Sequence, residues 1–137
     1  MGILDSEEKR LLALLRSGMD LEQARRKLKI TQTEAKRRIR HIHAKFNVKS
    51  DEAAVACAIR KRELIVSKSG GFTPDLDYFE VEVLRAIADD KSCQQVAKRH
   101  RTSPYKVQVW VGSAMAKLRA QTLTQAISEA FEHRLLK

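Results

Sequence analysis

The chain has little cysteine and no long apolar run, and each shortage closes off a class of protein. Its two cysteines, Cys57 and Cys93, fall on different predicted helices and form no CxxC pair. Neither a disulfide framework nor a cysteine-based zinc site is expected. They read instead as small buried or half-buried thiols in a reducing cytoplasm. No stretch approaches the ~20 apolar residues that span a bilayer. The opening Met1-Gly2-Ile3-Leu4-Asp5 has neither a charged n-region nor an apolar h-region, so no export is expected. Alternation of period two is missing over any useful length, and no sheet is expected. There is no Gly-rich phosphate loop, no nucleophile elbow and no carboxylate pair that the pattern forces together. The expectation is a protein that is not an enzyme and carries no cofactor. His41-x-His43, with His100 and the two cysteines, is the remaining metal candidate. Residues i and i+2 of a helix point to different sides, so no metal site is expected.

What is present is positive charge and repetition. The 137 residues carry 27 Lys/Arg against 17 Asp/Glu, a net charge of +10 and a pI near 10.0, with 43% hydrophobic and 32% charged residues. That is a globular composition with a polyanion for a partner: nucleic acid first, an anionic membrane surface second. No bulky hydrophobic face lies opposite the basic one, which counts against the membrane.

Sliding the sequence on itself by 72 positions without gaps brings Leu4 onto Leu76, Leu11 and Leu12 onto Val83 and Leu84, and Leu15 onto Ile87. Thr31 then meets Ser103, Ala35 meets Val107, Ile39 meets Val111, and Leu64 meets Leu136. One helical unit is written twice, giving two small domains of about 65 residues. Residues 1–66 and 76–137 are the expected domains, joined by a linker at 67–75 that contains Ser69-Gly70-Gly71 and Thr73-Pro74. The charge does not repeat: residues 1–71 hold 17 Lys/Arg and 9 Asp/Glu, whereas residues 72–137 hold 10 and 8.

The first unit predicts four helices. Asp5 or Ser6 caps one that Gly18 stops, and Asp20 caps a short second from about Leu21 to Leu28. Thr31, with Glu34 three residues on, forms a capping box for a third that runs to about Phe46. Its apolar residues Ala35, Ile39, Ile42 and Phe46 make a narrow stripe and leave the rest free to face something polar. Ser50 or Asp51 caps an alanine-rich fourth. The second unit repeats this order: Asp77 to about Ala88, with Asp89-Asp90 in place of the Gly stop; Cys93 to His100; a third helix capped by Ser103 with Pro104 at its first position; and Leu123 to about Leu135 behind Thr122.

A short helix, a tight turn and a longer helix with a narrow apolar stripe is the helix-turn-helix pattern. In this setting Leu4–Ile65 resembles the DNA-binding domain of the LuxR/NarL/FixJ (GerE-like) family. The residues that carry the resemblance are Leu4 to Leu15, Gly18, Ala24-Arg25-Arg26-Lys27-Leu28-Lys29-Ile30-Thr31, Glu34-Ala35-Lys36-Arg37-Arg38, Ala44-Lys45-Phe46-Asn47-Val48-Lys49-Ser50, and Ala53 to Ile65. The second unit matches in skeleton (Leu76, Val83, Leu84, Ser103, Val107, Lys117-Leu118, Thr122) and less well in detail. The fold expected is all-α, two tandem four-helix LuxR-type helix-turn-helix domains.

Between Arg25 and Lys49 stand ten basic residues and one acid, Glu34. A helix in the major groove needs donors on its exposed face. The resemblance implies that Lys36, Arg37 and Arg40 read bases; Gln32 and Thr33, near the helix start, are further candidates for base edges or phosphate. Arg26, Lys29, Thr31 and Lys45 are expected to position the DNA backbone. At the corresponding places the second unit has Gln108, Val109 and Gly112. Three readings of its third helix stay open: Trp110 completes a core, Val109 and Trp110 form a protein contact, or Lys98, Arg101, Lys106 and Gln108 make a weaker DNA grip. The resemblance implies pairing through the fourth helix, where the face of Ala54, Cys57 and Ala58 is small enough for close contact. It meets either a second chain, as in a homodimer, or Ala126, Ile127 and Ala130 of the second unit, as in an intramolecular pseudo-dimer.

The reading is a sequence-specific, bacterial-type transcriptional regulator of double-stranded DNA, cytoplasmic and nucleoid-associated. Because the motif begins at Leu4, it is expected to lack a sensor domain. The alternative is a protein-binding antagonist or co-regulator that uses a helix-turn-helix fold to engage another transcription factor.

Overall fold

The computed structural model describes residues 2–66 and 73–137. Eight α-helices occupy them: α1 Ser6–Arg16, α2 Leu21–Leu28, α3 Gln32–Phe46, α4 Asp51–Arg60, α5 Tyr78–Ala88, α6 Cys93–Arg99, α7 Pro104–Lys117 and α8 Leu123–Glu132. No strand occurs among the described residues. Residues 67–72 of the expected linker lie outside the described residues, and 73–77 have no regular structure.

The helix starts are local chemistry. Asp5, Asp20, Thr31 and Ser50 cap α1 to α4, and Asp77, Ser92, Ser103 and Thr122 cap α5 to α8, each accepting a bond from the backbone N–H three residues on. The two sets of caps are 72 residues apart, and so are the left-handed residues. Every residue of positive φ among those described falls into one of four pairs at that offset: Gly18 and Asp90, Lys29 and Arg101, Asn47 and Arg119, Arg62 and Arg134. Chain reversals at helix ends need this backbone region; a glycine stands at only one of the eight.

Some expected boundaries shift. α8 ends at Glu132 rather than near Leu135, because Arg134 turns left-handed and Leu135 N–H donates back to Ala130 O at 2.8 Å. That reversal brings Leu136 into the core, as Arg62 does for Leu64. α6 stops at Arg99, one residue short. The capping box expected at α3 is half made. Thr31 caps Glu34 N–H, but the Glu34 carboxylate turns forward to Arg37 and Arg38 instead of back to Thr31.

A buried carboxylate ties each helical set together. Glu8 is 3% exposed; its Oε1 accepts from Asp5 N–H at 3.0 Å and from Lys45 Nζ at 2.5 Å. Seventy-two residues on, Glu80 Oε1 accepts from Asp77 N–H at 2.8 Å and Lys117 Nζ at 2.7 Å, and Ser113 donates to its other oxygen. One acid thus completes the first helix's capping box and holds the far end of the third helix of its set. Burial alone would raise the Glu80 carboxyl; Lys117, Ser113 and the capping N–H together hold it below its ordinary value.

Leu11, Leu12 and Leu15 with Ile42 and Phe46, and Val83, Leu84 and Ile87 with Val107, Val111 and Leu118, belong to one continuous core. The two sets meet through α4 packed on α8, flanked by α4 on α5 and by α1 on α8. Exchanging α1 with α5 and α4 with α8 turns α4 on α5 into α8 on α1 and leaves α4 on α8 unchanged, the pattern of a two-fold arrangement within one chain. Ala54 and Ala58 are fully buried and Cys57 partly so. Polar contacts seal the seam: Asp90 accepts from Lys49 N–H at 2.8 Å and from Ser50 Oγ at 3.0 Å, and Arg60 reaches Asp89 at 2.8 Å and Lys137 O at 3.0 Å.

Two stability outcomes are expected. Glu80→Gln removes the charge that Lys117 meets and lowers stability by about 1–3 kcal/mol in denaturant titration. Because the folded Glu80 pKa is depressed, its contribution is present above the ordinary carboxylate value near 4.5 and is lost as pH falls through the lowered one. The wild type should therefore lose stability below pH ~4.5 more steeply than Glu80→Gln. Gly18→Ala, at φ 107 and with a Cβ that would stand 2.7 Å from Gln125 Oε1, should cost about 1–2 kcal/mol in the same assay.

Candidate nucleic-acid interface

α2 and α3 are joined by a tight turn. Lys29 adopts the left-handed region, Ile30 N–H closes on Arg25 O at 3.1 Å, and Thr31 opens α3. Ala35, Ile42 and Phe46 are buried and Ile39 is partly so, one stripe at helical spacing. Thr33, Lys36, Arg37 and Arg40 make the opposite stripe, all exposed, at i, i+3, i+4 and i+7. Arg40 Nε lies 3.5 Å from Lys36 O. Gln32 and Lys29 are exposed beside them.

Several of the nominated cations have internal partners. Glu34 takes Arg37 Nε at 2.9 Å and Arg38 Nε at 3.0 Å, and Arg38 also meets Glu7 at 3.0 Å. The Arg37 and Arg38 guanidinium groups hold the Glu34 carboxyl at about 2. Arg26 pairs with Glu22 at 3.2 Å. Thr31 uses its hydroxyl as the α3 cap. Lys45, expected on the DNA backbone, is bonded to the buried Glu8. Lys36 makes no ion pair among the described residues. The expectation missed Glu34 as an organiser of the face, although an acid three and four residues before two arginines is a helical pairing signal.

The metal candidates are scattered. His43 bonds Asp51 at 2.7 Å while His41 is exposed. No group of three or more His, Cys, Asp or Glu among the described residues is placed to hold an ion. No helix among them is long and apolar enough to cross a membrane.

α6 and α7 repeat the arrangement with other side chains. The left-handed residue is Arg101, and the exposed stripe of α7 is Tyr105, Gln108, Val109 and Gly112. Lys98, Arg101 and Lys106 are exposed nearby. Gln108 Nε2 donates to Cys93 Sγ at 3.1 Å. Trp110 is half-buried against the core and stacks on Phe79, with ring centroids 4.8 Å apart and planes 11° apart; His100 meets both rings edge-on. In the first set these two positions are Arg38 and Glu7, an ion pair. The same contact between the first and third helices is ionic in one half and aromatic in the other.

Residues 79–130, from α5 to α8, match the family model described as GerE, bacterial regulatory proteins, luxR family. A LuxR-type helix-turn-helix lies there. It is thus the second set, not the basic first one, that the family model recognises. No curated protein and no solved structure matches the chain. The LuxR-type region supports DNA binding and transcriptional regulation as the class of function. Its apolar skeleton carries the fold, whereas several basic residues of the first set's motif, Lys36 and Arg40 among them, lie on a solvent face that folding does not constrain.

The Glu34 cluster gives a direct measurement. In a carboxyl-detected NMR titration Glu34 should stay ionised well below the ordinary value, with a midpoint at about 2. Its contribution to stability is present above ~4.5 and lost as pH falls toward that midpoint. Glu34→Gln should abolish the resonance shift and increase side-chain motion of Arg37 and Arg38.

Proposed function

We propose that this chain is a sequence-specific regulator of transcription built from two copies of a LuxR-type helix-turn-helix, paired through α4 and α8 as an intramolecular pseudo-dimer. α3 enters the major groove of double-stranded DNA. Lys36 and Arg40 read base edges, Arg37 joins them on release from Glu34, and Gln32 and Thr33 contact the groove near the helix start. Arg26, Lys29 and the N-terminus of α3 at Thr31 hold phosphates. Lys45 acts from within, by fixing the end of α3 to Glu8. The observation that carries this reading is the exposed stripe of Thr33, Lys36, Arg37 and Arg40 on the second helix of a helix-turn-helix, in the half of the chain that holds most of the positive charge.

The second reading is a co-regulator that binds another transcription factor. It is favoured by the exposed Tyr78, Phe79, Tyr105 and Val109 of the second half, at 66%, 42%, 78% and 43% exposure. A gel-shift salt titration separates the two. A DNA reader that neutralises six or more phosphates loses affinity on the order of 10³-fold from 50 to 200 mM salt. Lys36→Ala with Arg40→Ala should weaken specific binding at least about tenfold and leave helical content unchanged by circular dichroism. Equal affinity of wild type and double variant for every fragment would remove the DNA-reading function.

A further inference from the structure

We propose that α7 is a second base-reading helix with the opposite preference to α3: it reads A·T pairs, so that one chain recognises a composite site with a G·C-containing half and an A·T-containing half. This rests on the DNA-binding reading above and adds the base class that the second half takes. The positions are set by geometry. Tyr105, Gln108, Val109 and Gly112 lie on α7 where Thr33, Lys36, Arg37 and Arg40 lie on α3, and all eight are exposed. Guanine offers two acceptors in the major groove and suits the cations of α3. Adenine offers an acceptor beside a donor, which suits an amide, and thymine offers a methyl group, which suits an apolar side chain.

Gln108 carries the amide. One Nε2–H is donated to Cys93 Sγ, which orients the group and leaves the other N–H and Oε1 for a base. Val109 is the apolar contact, 43% exposed on a face that the fold does not cover. Gly112 is the most telling residue. It sits inside α7, its φ is not positive, and nothing lies within 4 Å of where a Cβ would stand. The fold asks for no glycine there, and a mid-helix glycine costs about 0.5–1 kcal/mol against alanine. What a glycine at this exposed position permits is close approach of another surface to the helix backbone. Lys98, Arg101 and Lys106 flank the stripe and supply the charge that a phosphate backbone requires. The family match falls on this half of the chain, so the less basic helix belongs to the recognised helix-turn-helix.

The test uses the whole chain and duplexes selected from a random pool. The selected site should contain two unlike halves. Replacing thymine by uracil in the A·T half removes only the methyl groups and should weaken the wild type about fivefold, while Val109→Ala should show no further loss. Gln108→Arg should move the preferred base at one position of that half to guanine. Trp110, the chain's only tryptophan and next to Val109, should change its emission with the two-half site and not with the G·C half alone. A single half-site whose selection is lost with Lys36→Ala, or a second half indifferent to uracil and to Gln108→Arg, overturns the A·T reading and leaves the DNA-binding function standing. Absence of any selected sequence overturns both.

Discussion

The buried carboxylate at the start of α1 and of α5 is the constraint on which the rest of the structure depends. Glu8 and Glu80 are each almost wholly removed from water, and a charge in that position must be bonded or it opposes folding. Each is satisfied by the same two groups, the N–H that begins its own helix and the lysine that ends the third helix of its set. The orientation of α3 against α1, and of α7 against α5, is therefore fixed at one end by a directional contact. Apolar packing of Ile42 and Phe46, or of Val107 and Leu118, does the rest. The outer faces of α3 and α7 can then vary, because the contacts that hold these helices lie elsewhere.

The two halves use that freedom differently. Around α3, acids and bases form a lattice: Glu34 between Arg37 and Arg38, and Arg38 shared with Glu7. Around α7 the same sites carry Val109, Trp110 and Phe79, and the contact is a ring stack. Exposed ion pairs contribute little to stability and weaken in salt, whereas an aromatic stack is insensitive to salt. The lattice on α3 leaves cations near the surface where a polyanion can compete for them. α7 has no such lattice: its stripe carries an amide and apolar groups, with Lys106 as a flanking cation.

Much of the helix inventory was legible because it is written in short range. A cap lies three residues from the N–H it satisfies, and the 72-residue offset in Asp5 and Asp77, Thr31 and Ser103, or Ser50 and Thr122 is visible without any structure. The candidate site was legible in part. The exposed stripe of α3 follows from helical periodicity, but the assignment of Lys45 to DNA did not anticipate its bond to Glu8, 37 residues away. The half-made box at Thr31 misled for a related reason. Glu34 had two possible sets of partners, and the arginines on its own exposed face won.

The sequence by itself determined eight helices, most of their caps, the repetition and the uneven charge, because these depend on neighbours within a few residues. Only the tertiary structure decided that α4 meets α8 inside one chain, that Arg60 bridges to Asp89 and Lys137, and that Trp110 lies on Phe79 rather than wholly within the core. Those choices join residues up to 77 positions apart. No local pattern encodes them; they follow from which apolar faces remain uncovered once each helix has formed, and from where the buried charges must find partners.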